Sequence, residues 1–427
     1  MATAVPADGS QSAVKATLWI LLIVYIFNFI DRQIVNILAE PIAKDLKLSD
    51  TQIGLMTGLA FALFYTVLGL PIARYADRPG TSRPRLIAVA LAIWSAMTAL
   101  CGLAQNFVQL LLARIGVGVG EAGCTPAAHS LISDLVPKER RASALGFYAL
   151  GIPIGTVLGM IIGGQLVDIL GWRQAFMIVG LPGVAMAVIV WFVLKDPRHR
   201  AQQSSVTHPA DLPARDALRS IFSSRALVLL LIAASSAAFL SYGKVTWATI
   251  FFQRTHGLTP GQVGLYFGIV NGAGGILGTW LSGKIADRYG ATKRQHVLTA
   301  AAIGMLLVAP TAILGYAAGD WRIALFLLFF PTFLGSLYYG PTYSSVQGLV
   351  TPQARAMASA VLLFFQNLIG LGLGPLLFGM LSDVLKPSLG DDSVRWVLYI
   401  AASMSVIPAY FFWRCSLRLD EELDQKG

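Results

Sequence analysis

The chain has 427 residues, of which 56% are hydrophobic and only 13% are charged, a balance far from that of an average soluble domain. Its formal net charge of +10 comes from Lys and Arg in short loops between apolar segments. Orientation in a membrane explains such loops, so we expect no nucleic acid partner. Cys101, Cys124 and Cys415 are scattered, which favours neither a disulfide framework nor a metal cluster.

Twelve apolar windows of about 19 residues or more follow one another, each long enough to cross about 30 Å of hydrocarbon. They begin near Ala16, Ile53, Leu86, Phe107, Ala142, Gln174, Ala226, Gly261, Val297, Trp321, Ala356 and Val394. An even number places both termini on one side, and the excess of Lys and Arg in alternate loops predicts that this side is cytoplasmic. The sequence therefore predicts an all-α, multi-pass protein of the inner (cell) membrane with both termini in the cytoplasm.

The windows divide into two sets of six. The predicted organisation is a disordered N-terminal tail at 1–15, a six-helix bundle at 16–195, a cytoplasmic linker at 196–222, a second six-helix bundle at 223–418 and a C-terminal tail at 419–427. The linker gains Pro, Ser, Gln and Arg, as flexible connections do. Its end, ARDALRSIF, has the pattern of a short amphipathic interfacial helix.

A repeated loop supports this division. ARYADRPGTSRPR after the second window matches GKIADRYGATKRQ after the eighth, which aligns Asp77 with Asp287 and Arg78 with Arg288. Two parallel repeats are typical of transporters, although charged loops that only orient the chain are the alternative. We expect Asp77 and Asp287 to anchor a cytoplasmic gate through helix ends and neighbouring arginines. The predicted gating residues are Arg74, Asp77, Arg78, Arg83, Asp287, Arg288 and Arg141.

The fourth window contains the run RIGVGVGEAGCTPAAH, residues 114–129. At 100° per residue, Arg114, Glu121 and Thr125 share one helix face, and His129 lies about 60° away. Ionisable groups at membrane depth are costly and normally face a bundle interior or a cavity, where they mark a substrate or proton path. The alternative is a buried salt bridge that only holds helices together.

The first window adds Asp31 and Arg32, in the run FNFIDRQIVNIL. Asp31 and Arg114 fall at similar depth, so the sequence predicts that these two pair. Glu121 is then the predicted proton carrier, with Asp31 as the second candidate and His129 as the third. Protonating one carboxylate would leave a net charge of +1 in a poorly solvated cavity, which favours an anionic head group. The predicted proton-coupling residues are Glu121, Asp31, Arg114, Arg32 and His129. For Arg32, packing against a helix end or snorkelling to the interface is the alternative.

The second half carries few buried charges, and its Lys244 falls near the predicted outer surface, where snorkelling is expected. Its tenth and eleventh windows are aromatic instead, which fits either core packing or the apolar wall of a cavity. One charged wall and one apolar wall would suit an amphipathic molecule with a polar head. The predicted substrate-binding residues are Arg32, Glu121, Thr125, Tyr338, Tyr339, Tyr343, Phe364 and Asn367.

Glycines recur every four residues in the fifth window, from Gly151 to Gly163, and again at Gly370, Gly374 and Gly379 in the eleventh. Small residues at this spacing let helices approach closely. We expect these helices to pack where the two halves meet.

The whole chain resembles the major facilitator superfamily of transporters. The loop after the second window is similar to that superfamily's signature loop, with Ala73 in place of its usual first glycine, and Arg114 stands at the place of its fourth-helix arginine. The chain also resembles the spinster family of lysolipid and sphingosine-phosphate transporters, and the resemblance implies a bacterial member. The residues that carry it are FNFIDR and ARIGVGVGEAGCTPAAHSLISDLVPKERRASALGFYALGIPIGTVLG. Organic anion:cation symporters share the Asp-Arg pair and the Gly-x-Gly-Glu run.

The resemblance implies a proton-coupled secondary active transporter that moves a lysolipid-like or sphingosine-phosphate-like molecule by alternating access. The alternative is a proton-driven symporter of a small organic anion. A membrane-embedded enzyme is disfavoured because the sequence has no nucleophile elbow, zinc-spaced His/Glu pair or phosphate-binding loop. The expected partners are the small amphipathic substrate, protons and membrane lipids. We expect no cofactor, no metal and a monomer.

Overall fold

The computed structural model describes residues 8–78, 80–137, 140–197, 214–289 and 294–424. These residues are helical almost throughout and contain no β-strand, which confirms the all-α prediction. The chain forms two compact units, Met1–Lys47 with Ala60–Ser205, and Leu48–Leu59 with Val206–Gly427.

The described part of the first unit contains six helical rods, two of which are broken. Its helices are α1 (Asp8–Leu46), α3 (Ala60–Asp77), α4 (Arg83–Cys101), α5 (Phe107–Glu121), α6 (Cys124–Leu135), α7 (Arg141–Ala149), α8 (Gly151–Leu170) and α9 (Trp172–Val193).

The second unit begins with the short helix α2 (Asp50–Gly54) and the π-helical turn Leu55–Leu59. Its other helices are α10 (Ala214–Ser223), α11 (Arg225–Thr255), α12 (Pro260–Tyr289), α13 (Arg294–Ala317), α14 (Trp321–Gly335), α15 (Tyr339–Leu349), α16 (Arg355–Phe365), α17 (Gly374–Leu389), α18 (Ser393–Ser403) and α19 (Val406–Asp424). A π-helical segment, Gln366–Leu373, joins α16 to α17.

Within the described residues, ten helical stretches are long and apolar enough to cross a membrane. One of them, Met357–Leu419, has 63 residues, which would measure about 95 Å as a single helix. It is interrupted at Gly390–Asp392 and therefore supplies two crossings. The glycine-rich α12, with 30 residues, supplies the remaining rod. The described residues thus contain the twelve predicted transmembrane helices, six in each half of the sequence.

The structure changes several predicted boundaries. Helix α1 begins at Asp8, so residues 8–15 extend the first helix instead of forming a tail, since the run SQSAVKA contains no helix breaker. Residues 419–424 likewise continue α19. The helix predicted at the end of the linker is present as α10, whereas residues 198–213 of the linker lie outside the described residues.

Residues 48–59 were predicted to belong to the first bundle, but they pack on α17 within the second unit. A Cβ atom at Gly54 would lie 2.7 Å from the Leu376 Cα atom, and one at Gly58 would lie 2.7 Å from the Gly372 carbonyl oxygen. Two glycines therefore permit a backbone contact that no larger residue would allow.

Corresponding pairs of helices pack on each other within each unit, as an internal repeat requires. Helix α4 packs on α9 as α13 packs on α19, and α3 packs on α5 as α12 packs on α14. The fifth-window glycines lie inside the first unit, where a Cβ atom at Gly155 would come 2.6 Å from the Ile26 carbonyl oxygen. Gly370 similarly contacts Ala238 of α11. The close contacts of these glycines therefore lie within their own units, and their place at the junction between the halves stays a prediction.

One rod in each unit is broken at corresponding places. Helices α5 and α14 both have 15 residues, and the helix that follows each one carries proline as its third residue, Pro126 in α6 and Pro341 in α15. Proline has no N–H to bond the carbonyl four residues before it. Interrupted helices in corresponding positions of two repeats are typical of the binding region of a transporter.

Candidate functional site

Glu121 is the last residue of α5 and is fully buried. The alternating glycines before it explain how the helix end reaches the interior. A Cβ atom at Gly118 would lie 2.6 Å from the Phe61 carbonyl oxygen, and one at Gly120 would lie 2.6 Å from the Trp94 backbone nitrogen. Glycine at these positions lets α5 approach both α3 and α4. The run GVGVGE therefore builds the wall that carries the carboxylate.

Arg32 of α1 forms the direct ion pair with Glu121. Its Nε atom donates to Glu121 Oε2 over 2.6 Å, and the side chains are 15% and 0% exposed. The guanidinium also lies 4.5 Å from the ring centroid of Tyr65 and 5.1 Å from those of Phe61 and Phe29, within the range of cation–π attraction. Arg32 therefore faces the interior of the bundle, so the alternatives of snorkelling and helix-end packing are wrong.

Asp31 and Arg114 are both about 1% exposed, and no direct ion pair joins them among the described residues. The predicted pair is therefore wrong as a salt bridge. Arg114 and Glu121 still act on Asp31 electrostatically, and the Arg114 guanidinium lies 5.5 Å from the Phe61 ring. The break after Glu121 and the rotation of α1 select Arg32 as the partner of the glutamate. Sequence depth alone could not distinguish two successive residues of one helix.

Several buried polar atoms around these charges have no hydrogen-bond partner within the described part of the chain. They are Asn28 Nδ2 and Oδ1, Asp31 Oδ1, Trp94 Nε1, Thr98 Oγ1, Arg114 Nε and Nη1, and Glu121 Oε1. Burying such groups without partners costs about 1–3 kcal/mol each. Polar groups of this kind are suited to bind water, a proton or a polar ligand.

His129 and Thr125 lie on α6, beyond the break. His129 is exposed and contacts the Tyr148 ring edge-to-face at 5.5 Å, and Tyr148 stacks on Tyr25 at 4.2 Å. No hydrogen bond or ion pair connects His129 to Glu121 in the described residues. Thr125 is partly buried one turn after Glu121. The ion-pair cluster therefore consists of the first-window and fourth-window charges without the histidine.

The tyrosines predicted to bind substrate mainly pack in the second unit. Tyr338 is 1% exposed, stacks on Tyr339 at 4.4 Å and lies 5.8 Å from Phe412. It belongs to a hydrophobic core against which the partly buried Tyr339 and Tyr343 pack. The Tyr343 hydroxyl donates to Gln366 Oε1 at 3.3 Å. The structure thus places Tyr338 in the core and leaves Tyr339 and Tyr343 partly accessible.

Phe364 and Asn367 lie on either side of the point where α16 becomes π-helical. Phe364 is partly buried and contacts Phe365 edge-to-face at 5.6 Å. Asn367 is partly buried in the π-helical segment Gln366–Leu373. Segments of this kind are frequent at functional sites.

Arg83 is the centre of the predicted gate in the first unit and is fully buried. Its Nη2 and Nε atoms donate to the Asp196 carboxylate at 2.6 and 3.0 Å, and Nη1 donates to Asp134 Oδ2 at 2.7 Å and to the Ser130 carbonyl oxygen at 2.8 Å. Ser130 in turn donates to Asp77 Oδ1 at 2.9 Å. One arginine therefore ties together the ends of α3, α4, α6 and α9.

The other predicted gating residues are more open. Arg74, Asp77, Arg78, Asp287 and Arg288 are exposed. Arg141 donates from Nε to the Val136 carbonyl oxygen at 3.2 Å. Sequence reasoning missed Ser130, Asp134 and Asp196, although Asp134 and Asp196 each follow an apolar window directly.

The sequence analysis also missed a buried acid at the start of α2. Asp50 is fully buried and accepts from Arg254 Nη1 and Nη2 at 2.9 and 2.8 Å and from Ser382 Oγ at 2.6 Å. Asp383 accepts from the backbone N–H groups of Asp50 and Thr51 at 3.0 and 2.8 Å and so satisfies the N-terminus of α2. The only sequence signal was the capping box Ser49-x-x-Gln52, which marks a helix start without naming the partners.

Two repeated six-helix halves with buried charges at broken helices define a multi-pass membrane transporter, not an enzyme. The chain belongs to the Major Facilitator Superfamily, whose family profile matches residues 21–307. An MFS-type efflux pump of Mycolicibacterium smegmatis is 34% identical over 421 residues, covering 96% of this chain and 95% of the relative. A probable L-galactonate transporter of Escherichia coli is 28% identical over 304 residues, covering 66% and 65%.

A solved structure confirms the resemblance to the spinster family. It is a bacterial homologue of the human lysosomal transporter Spinster in an inward-facing, unoccupied conformation. That structure aligns with a TM-score of 0.86 and 29% identity, over 96% of this chain and 98% of the other.

Proposed function

We propose that this protein is a proton-coupled transporter of an anionic, amphipathic lysolipid-like molecule, which works by alternating access as a monomer with cytoplasmic termini. The observation that carries the proposal is the 2.6 Å contact between Arg32 and the buried Glu121. The resemblance to the spinster family supports the class of substrate.

The pair supplies a simple coupling rule. While Glu121 is ionised, its carboxylate pairs with the Arg32 guanidinium and prevents that group from binding another anion. A proton on Glu121 removes the charge that holds this contact, so the guanidinium becomes free for an anionic head group. Asp31, Arg32, Arg114 and Glu121 sum to zero when all are ionised, and protonation leaves a charge of +1 that a monoanion would balance. Proton and anion then bind together.

Asp31 is the second candidate for the proton. It has no direct cationic partner among the described residues, so protonating it would not release Arg32. Only protonation of Glu121 connects a proton to the availability of the guanidinium. This difference favours Glu121 as the coupling residue and gives Asp31 and Arg114 the role of setting the local charge.

Rings surround the Arg32 guanidinium and favour a substrate with an apolar part. Phe29, Phe61 and Tyr65 all lie within about 5 Å of it. A head group that approached Arg32 would do so along these ring surfaces, which an acyl chain can contact favourably. A compact, highly hydroxylated acid would gain little from them.

A small organic anion is the second candidate substrate. The relative named as a probable L-galactonate transporter favours it. The Arg32 guanidinium released by protonation of Glu121 could bind a carboxylate as well as a phosphate. The relative named as an efflux pump favours export, and flux measured with the pH gradient imposed in each orientation tests this direction.

Proteoliposome flux tests the proposal. We expect the parent protein to move 1-oleoyl lysophosphatidate faster when a pH gradient is imposed, and galactonate poorly. Glu121→Gln should still bind the lipid but lose the response to the gradient, because it imitates the protonated form. Asp45→Asn is the control for the loss of an acid, since it removes an exposed carboxylate from α1, the helix that carries Arg32, and it should behave like the parent.

Three results would count against this scheme. A Glu121→Gln protein driven by the gradient like the parent would remove the coupling role from Glu121. If Asp31→Asn lost the response instead, the role would pass to Asp31. Gradient-driven flux of galactonate without flux of the lipid would favour the small-anion alternative.

A further inference from the structure

Lys244 of α11 lies at membrane depth and points into the second unit. It is the twentieth of 31 residues in α11, about 29 Å from the Arg225 end and about 17 Å from the Thr255 end. Its Nζ atom donates to Thr332 Oγ1 of α14 at 3.1 Å and is not directed to a helix end. The expected snorkelling is therefore wrong, because α11 extends well beyond its apolar window.

No carboxylate balances this ammonium group in the described residues. Helices α11 and α14 contain no acidic residue. Asp320, the N-cap of α14, is 12 residues from Thr332, or about 18 Å along the helix. Asp50 is paired with Arg254, and Asp383 accepts from the backbone N–H group of Asp50. An unbalanced cation at this depth is costly and is characteristic of a functional site.

The contact with Thr332 fixes the ammonium group without using up its hydrogen-bonding capacity. Thr332 is 8% exposed, and its hydroxyl donates back to the Leu328 carbonyl oxygen at 3.0 Å, so its oxygen is oriented to accept from Lys244. An ammonium group has three N–H donors, and one is used here. Two donors remain for a ligand.

An aromatic surface adjoins this polar point. Thr332 lies between Phe329 and Phe333 on α14, and these two rings stack with centroids 6.1 Å apart. Both rings are partly exposed. A cation next to partly exposed rings fits a molecule with an anionic head and an apolar body.

We propose that Lys244, positioned by Thr332, binds the anionic phosphate or carboxylate group of the transported molecule in the second unit. The inference rests on the proposed transport function, but it requires only that the substrate is an anion. It identifies a cationic side chain that binds the charged group of the substrate, in a half of the protein where the other predicted substrate-binding residues are aromatic or neutral.

Thermal-shift binding to the purified full-length protein tests the site. The probes are 1-oleoyl lysophosphatidate, the uncharged monooleoylglycerol with the same chain, and galacturonate, which has a carboxylate but no chain. Lys244→Gln should weaken binding of whichever anionic probe the parent protein binds about ten- to a hundredfold, since a charge-assisted contact is lost. Binding of monooleoylglycerol should not change, and Lys244→Arg should retain most of the anion binding.

Thr332→Val provides a second variant that keeps the charge. It should weaken anion binding several-fold, whereas Thr311→Val should not, although the Thr311 hydroxyl makes the same kind of bond to the carbonyl four residues earlier. Lys15→Gln removes an exposed lysine and is the matched charge control. The melting temperature without ligand reports whether each variant folds.

Equal anion binding by the parent and Lys244→Gln would overturn the inference, as would an equal loss of monooleoylglycerol binding. A parent that binds galacturonate but not lysophosphatidate, and loses it in Lys244→Gln, would support the anion site while contradicting the lipid proposal. A parent that binds only the uncharged lipid would contradict both.

Discussion

Arg254 holds Asp50 through both terminal guanidinium nitrogens, at 2.8 and 2.9 Å, although the residues are 204 positions apart in the chain. The carboxylate is fully buried and the arginine is 6% exposed. A bidentate contact of this geometry is the strongest form of a charge-assisted pair. It connects the segment Leu48–Leu59 to α11, while Asp383 of α17 accepts from the Asp50 and Thr51 N–H groups of the same segment.

The first prediction concerns this pair. Arg254→Gln leaves the Asp50 carboxylate buried without its principal cation, which should cost about 3–5 kcal/mol and lower the melting temperature strongly. Lys386→Gln is the matched control, because Lys386 approaches the same carboxylate only to 3.8 Å and is 42% exposed. A change as small as that of the control would show that Arg254 does not stabilise the buried acid.

The second prediction compares a buried pair with an exposed one. Arg32→Gln and Glu121→Gln should each destabilise the purified protein by about 3–5 kcal/mol, and the double variant should lose less than the sum. Arg173 and Asp45, whose side chains are 39% and 45% exposed, should contribute at most about 1 kcal/mol in the same double-mutant cycle. Thermal unfolding in detergent measures both cycles, and additive effects at Arg32 and Glu121 would contradict the pair.

The sequence could predict the fold but not the pairing within the site. Apolar windows and the repeated loop identify twelve helices in two halves, since both signals are local. The faces of the fourth window predicted that Glu121 and Arg114 lie inside. Choosing between Asp31 and Arg32 as the partner of Glu121 required the rotation of α1 and the break after α5, and these depend on packing against other helices.

Long-range contacts made at helix ends were the least predictable. Asp50 reaches Arg254, and Arg83 reaches Asp196 across 113 positions. No periodic pattern connects such residues, because each contact depends on which loop lies beside which helix end. Lys244 was misplaced for a related reason, since its depth depends on how far α11 continues beyond the apolar window.

The third prediction concerns Arg83. Arg83→Gln should reduce thermal stability strongly, because the buried Asp196 carboxylate loses the guanidinium that donates to both of its oxygens. Arg83→Lys should not restore it, since Nε, Nη1 and Nη2 all donate in the native contact and an ammonium group cannot reproduce this fork. Arg85→Gln, which removes an exposed arginine near the Trp191 ring, is the control. Rescue by lysine would show that charge alone matters at this position.

The fourth prediction tests the close approach of α9 to α4. A Cβ atom at Gly180 would lie 2.6 Å from the Ala99 backbone nitrogen and 2.6 Å from the Ser95 carbonyl oxygen. Neither backbone atom can move aside as a flexible side chain could, so Gly180→Ala should force the helices apart and cost about 1–3 kcal/mol.

Gly146→Ala is the matched control for that variant. Gly146 also lies within a helix, α7, but a Cβ atom added there would meet nothing within 4 Å. Alanine there should leave stability unchanged or raise it by about 0.4–1 kcal/mol, since it reduces the freedom of the unfolded chain without strain. Melting temperatures of the two variants, measured side by side in the same detergent, should therefore move in opposite directions or differ by several degrees. Equal melting temperatures would show that α9 can shift away from α4 at no cost, and that the glycine is not required for their packing.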